Sequence, residues 1–114
     1  MYAQLVYFDG PRSPELVAAS DRASTGRILP ALRADDQVRD ATVATFVLRA
    51  PDGGDVVVIV CDSAEALQRG NEVIMQTTLL PDEDPALLRD PDRVQVLPVV
   101  RAFGRNLTPM EVSA

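Results

Sequence analysis

The chain has 114 residues, of which 46% are hydrophobic and 25% charged, with a net charge of −6. This bounds it to one domain with a real core and argues against disorder and against binding a nucleic-acid backbone. His and Trp are absent and Cys61 is the single cysteine, which excludes an intramolecular disulfide, His-dependent nucleophilic triads, the usual zinc sites and proximal-His haem ligation.

The first element in chain order is an apolar strand over residues 2–9, closed by Asp9-Gly10-Pro11. Ser13-Pro14-Glu15 is a helix start: Ser caps, Pro fits the first turn, and Glu favours the positive end of the dipole. That helix is expected to reach Leu32, with a weak polar middle around Ser20 to Gly26 and an end or kink at Pro30. Asp35-Asp36 to Asp40 reads as a solvated connection. Strands two (Ala41 to Leu48) and three (Val56 to Cys61) form a hairpin around Pro51-Asp52-Gly53-Gly54.

The run Val56-Val57-Val58-Ile59-Val60-Cys61 does not alternate. Such a strand is expected to be covered on both faces. Asp62 or Ser63 caps the second helix, and Leu67, Asn71, Ile74 and Thr78 share one of its faces. Residues 81–92 carry three prolines and a cluster of acids and read as a long exposed loop. The last strand is expected from Val94 to Phe103, with Pro98 marking an edge or bulge. Residues 1–104 form the domain, and 105–114 are expected to be a flexible tail.

The order β-α-β-β-α-β predicts an α+β, ferredoxin-like fold. Its four-stranded antiparallel sheet, in spatial order 4-1-3-2, carries both helices on one face. Two helices leave the other face bare, so a homodimer through sheet faces is expected. Val6 and Phe8 are taken as part of that bare face. No apolar run reaches membrane-spanning length and no leader pattern precedes the first strand. The chain is therefore expected to be cytoplasmic, with neither membrane nor nucleic acid as partner.

Met1-Tyr2-Ala3, Ile28-Leu29-Pro30-Ala31-Leu32 and Ser63-Ala64-Glu65-Ala66-Leu67 resemble the antibiotic biosynthesis monooxygenase-like superfamily over roughly residues 1–103. The resemblance implies a dimeric α/β barrel with a ligand cavity between each sheet and its own helices. It also implies a membership that spans cofactor-free oxygenases, haem degraders and proteins without assigned activity. The chain departs from the family pattern at Asp35-Asp36-Gln37-Val38 and in its longer 81–92 loop. Without Trp or His the haem reading is poor.

Tyr7, Asn71 and Arg101 are the candidate catalytic residues, as donors that stabilise an anionic intermediate. By the resemblance, Tyr7 shares with Ala3 and Leu5 the face toward the helices. Each candidate has an ordinary alternative: a core tyrosine, an amide satisfied by protein groups, and an outward salt bridge. The base is left open between Asp9 and the substrate's own phenolate. Cys61 reads as a structural thiol. No cofactor and no metal are expected.

Two functions follow. One is a homodimeric barrel of unassigned activity that binds a small apolar or aromatic ligand or plays an accessory, stress-response role. The other is a cofactor-independent monooxygenase of an aromatic or polyketide-like substrate. A cavity lined by Tyr7, Asn71 and Arg101 favours the second, and one lined by Leu, Val and Phe the first.

Overall fold

The computed structural model describes residues 1–105 and the backbone of 107–111. Strand β1 (Tyr2–Phe8) leads into helix α1 (Pro14–Ala23). Ser13 caps α1 by accepting a hydrogen bond from the Leu16 amide. The helical path then widens into one π-helical stretch, Ser24–Ile28, in which the Leu29 amide donates to the Ser24 carbonyl. It resumes as α2 (Leu29–Ala34), with Pro30 in its first turn. Pro30 has no amide hydrogen, and its ring would strike the carbonyl four residues back in a regular helix. The wider turn relieves that conflict and lets the helix continue to Ala34, so Pro30 bends the path without ending it.

Asp35 caps a further short helix, α3 (Asp36–Ala41), by accepting from the Val38 amide. The segment expected as a solvated connection is thus helical, and Val38 within it is buried. Its acidic composition hid a cap and a single apolar anchor. Hydrogen bonds from the Val38 amide and from Arg69 hold the Asp35 carboxylate below its usual range.

Strands β2 (Thr42–Arg49) and β3 (Asp55–Cys61) form the expected hairpin. Gly53 adopts φ +90°, and a Cβ there would meet the Arg12 carbonyl at 2.6 Å, so the turn requires glycine. Helix α4 (Ala64–Met75) is capped by Ser63, which accepts from the Ala66 amide. After a connection containing a 3-10 turn at Pro85–Leu87, strand β4 (Arg93–Pro98) completes the sheet. The observed order β2-β3-β1-β4, antiparallel throughout, is the order expected from the sequence.

Pro98 ends β4. The chain resumes as β5 (Arg101–Gly104), which leaves the main sheet and pairs with β6 (Leu107–Glu111). The last strand is therefore split where proline removes a ladder donor, and part of the segment read as a tail lies in β6.

The helices gather over one face of the sheet. Residues on that face follow from the register: Gln4, Val6 and Phe8 stand beside Ile59, Val57 and Asp55, which stand beside Thr45, Val47 and Arg49. Val6 and Phe8 thus face the helices, and the expectation that they form the bare face is corrected. The bare face belongs to the other parity: Ala3, Leu5 and Tyr7 with Val60, Val58 and Val56. Phe46 and Leu48 (each 55% exposed) and Leu97 (49%) extend it onto β2 and β4. No helix among the described residues is long and apolar enough to cross a membrane.

One edge of the helix-facing side is closed by charge. Asp55, 2% exposed in its side chain, accepts from Arg49 Nε at 2.8 Å and Nη2 at 3.0 Å. Buried Arg12 places Nη2 2.8 Å from the same carboxylate and donates from Nε to the Gly53 carbonyl. Arg49 reaches on to Asp21 of α1. Burial alone would push the Asp55 carboxyl up, but the two guanidinium groups outweigh it and hold it below its ordinary 3.8.

Replacing Asp55 with Asn leaves Arg12 buried without its counter-charge and is expected to cost about 3–5 kcal/mol at neutral pH. A depressed carboxylate stabilises the fold above the unfolded value, and that contribution fades as pH falls through the folded value. Denaturant unfolding of wild type and Asp55→Asn should therefore show a stability gap that is full at neutral pH and narrows below about pH 4. A gap that does not change with pH would contradict this assignment.

Candidate functional site

The space between sheet and helices is not filled. A cavity of about 590 Å³ runs between β1, β2 and β3 on one side and α1, the π-helical turn, α2 and α4 on the other. A smaller one of about 250 Å³ adjoins it beneath α3 and α4. The two share Gln4, Leu32, Thr45, Ile59, Asn71 and Ile74 among their walls. The walls of the larger one are mainly aliphatic, with Val6, Phe8, Leu16, Val57 and Leu87 among them. Its volume lies within the range of small-molecule sites. Val47 (50% exposed) and Met75 (83%) stand at its opening.

Local sequence explains the hollow. The cavity-lining positions at the end of α1 and the start of the π-helical turn are short: Ser20, Ala23 and Ser24 line the space where longer side chains would close it. The π-helical turn adds a second constraint. It is tied down by Arg27, which donates to Glu83 from Nε at 2.8 Å and to Thr77 from Nη1 at 2.7 Å. Arg27 is 12% exposed and Glu83 2%, and the hydrogen bond from Arg27 holds Glu83 below its usual range. Arg22 adds an exposed pair to Asp82. These contacts anchor the connection after α4 as a strap. Leu87, Leu88 and Pro91 of that strap form part of the cavity wall. The segment expected as an open loop is thus partly folded inward.

At the junction of the two cavities sits a reciprocal amide pair. Gln4 Nε2 donates to Asn71 Oδ1 at 3.1 Å, and Asn71 Nδ2 donates to Gln4 Oε1 at 3.0 Å. Gln4 is only 4% exposed. Each amide uses one donor and one acceptor on the other, which leaves one N–H and one lone pair on each for a third group. Asn71 was legible as a polar residue on an apolar helix face. Gln4 is not assigned to the site from sequence because, like Thr45, it reads there as a polar group of the barrel interface; it shares the parity of Val6 and Phe8, and that parity turns toward the helices.

The other two candidates lie elsewhere. Tyr7 is on the bare face of the sheet, where its hydroxyl donates to Gln95 Oε1 at 3.0 Å and the Arg93 guanidinium lies 4.0 Å above its ring. The expectation that Tyr7 faces the helices is corrected: strand parity is a two-way choice, and Gln4 pairing with Asn71 takes the even positions inward. Arg101 is exposed on β5 and is not a wall residue of either cavity. Asp9 is exposed, and its amide donates to Asp92. Asn71 is thus the one member of the expected trio that meets the cavity.

Cys61 reaches the smaller cavity beside Thr42, whose hydroxyl lies 3.8 Å from the sulfur. Burial raises its pKa, the opposite of what a nucleophilic thiol requires. Among the described residues no three His, Cys, Asp or Glu side chains gather into a metal-binding group. No family model, curated protein or solved structure matches the chain.

Removing Asn71 strands the amide of Gln4, which is buried. Asn71→Leu is expected to lower stability by about 1–3 kcal/mol, the cost of an unpaired buried polar group. Gln4→Leu combined with Asn71→Leu removes both and should recover most of that loss. A double-mutant cycle in urea, read at constant m-value, checks this. Additive losses in the double variant would show that the pair is not coupled.

Proposed function

We propose that the chain forms a homodimeric, ferredoxin-like α+β barrel that binds a small apolar ligand between its sheet and its helices. The observation that carries this reading is the cavity of about 590 Å³, walled mainly by aliphatic side chains, with the Gln4–Asn71 amide pair on its wall. A large apolar pocket with few convergent polar groups is the form that small-molecule sites take. The oxygenase alternative draws less support, since Tyr7 and Arg101 lie outside the cavity walls.

The second copy is inferred from the opposite face of the sheet. Leaving Phe46, Leu48, Leu97 and the Val56-Val58-Val60 row in water would expose a continuous apolar surface of a kind that monomers rarely carry. Packing two such faces together also accounts for the unbroken apolar sequence of β3. The expected resemblance to dimeric barrels agrees with this arrangement, as does the position of the cavity between each sheet and its own helices.

Two measurements check the reading. Sedimentation equilibrium at micromolar concentration should give a dimer, and Val58→Asp, at the centre of the bare face, should give monomer or aggregate. A stable wild-type monomer would refute the dimer. The neutral fluorophore N-phenyl-1-naphthylamine should bind saturably. Val57→Trp, which fills the cavity from β3, should weaken that binding by about tenfold or more, the loss expected from displacing a buried apolar ring. Equal binding in both proteins would remove the cavity as the ligand site.

A further inference from the structure

The chain carries more acids than bases, 17 against 11, yet the charged residues on the walls of the larger cavity are four arginines, Arg12, Arg27, Arg33 and Arg89, and one acid, Asp55. The charge is therefore locally inverted at this site. Two of the four are already neutralised. Arg12 is matched by Asp55 and Arg27 by Glu83, each at 2.8 Å. The other two are not. The guanidinium groups of Arg33 on α2 and Arg89 on the strap have no hydrogen-bond, ion-pair or ring partner among the described residues, although the Arg33 carbonyl accepts from Arg39. Both are exposed, so their guanidinium groups stand at the rim of an aliphatic cavity.

We infer that the ligand of this cavity is an amphipathic carboxylic acid, its hydrocarbon body against the aliphatic walls and its carboxylate held at the rim by one of the two unpaired guanidinium groups, Arg33 or Arg89. This deepens, and rests on, the reading of the cavity as an apolar ligand site. Guanidinium groups pair with carboxylates through two parallel N–H···O bonds, and the planar fork loses little freedom in doing so. The two arginines come from different elements, one from the helix that lines the cavity and one from the strap that closes it. The Gln4–Asn71 pair supplies a neutral polar contact on the cavity wall, and it suits a hydroxyl or carbonyl on the hydrocarbon body.

The test uses the full chain with bound N-phenyl-1-naphthylamine, displaced at pH 8 and low salt by decanoate or by methyl decanoate. These share one hydrocarbon chain and differ in charge. Wild type is expected to favour decanoate by about tenfold, within the strength of hydrogen bonds to a charged group. The preference should shrink in high salt, because the arginines are exposed. In the R33Q/R89Q double variant the ratio should fall to near one. Taking the ratio within each protein cancels any change in overall affinity for the cavity. Equal displacement by acid and ester in wild type overturns the inference without any variant. A preference that survives in the double variant overturns the assignment to these two residues. Failure of the neutral fluorophore to bind at all overturns the apolar-cavity reading itself, and this inference with it.

Discussion

The hydrogen bonds between Gln4 on β1 and Asn71 on α4 join the sheet to its longest helix. They also decide a binary question. Side chains alternate along a strand, so one inward residue sends every second neighbour inward and the rest outward. With Gln4 facing α4, Val6 and Phe8 line the cavity, and Leu5 and Tyr7 face away. Register with β3 carries the choice across the sheet: Ile59 and Val57 turn in, Val58 and Val56 turn out. The interior, the bare face and the location of every candidate residue on β1 follow from that one parity.

The cavity depends on how the two ends of this layer are held. At one end the buried Asp55 draws Arg12 and Arg49 to the hairpin, and Arg49 extends to Asp21 of α1. At the other, Arg27 in the π-helical turn ties the strap through Glu83 and Thr77. Both anchors are guanidinium–carboxylate pairs with the carboxylate nearly inaccessible to water. Such pairs contribute little net stability compared with apolar packing, but breaking one strands a charge. Their effect here is geometric. They fix helix and strap at a distance from the sheet that the small residues Ser20, Ala23 and Ser24 do not fill.

The division of charge follows the same logic. On the cavity wall, Arg12 and Arg27 are paired and largely buried, whereas Arg33 and Arg89 at the rim are exposed and their guanidinium groups bear no partner among the described residues. In a chain that is acidic overall, this places the available positive charge at the opening of its most apolar space. The bare sheet face is different in kind: it is apolar and broad, with Arg93 over Tyr7 at its β4 edge.

Much of the architecture was determined by the sequence alone. The capping residue Ser13, the Pro-Asp-Gly-Gly turn and the unbroken Val56–Val60 run are local signals, and each acts through its own backbone or its immediate neighbours. They sufficed for the antiparallel sheet and its strand order, but not for helix α3 or for the split of the last strand. Asn71 was legible too, as an amide on an apolar helix face. What only the tertiary structure decided was parity, continuity and closure. The β1 strand is apolar on both sides, so its sequence does not say which side is inward, and Tyr7 and Phe8 changed places once Gln4 met Asn71. Pro30 signals a break locally, but a π-helical turn held by contacts with distant Glu83 and Thr77 lets the helix continue. The acids of 81–92 read as solvent-facing, and of them Glu83 is the one that turns inward, drawn by Arg27 some sixty residues earlier. A cavity is made of residues distant in the chain and of the atoms that are missing between them, and neither leaves a periodic trace in the sequence.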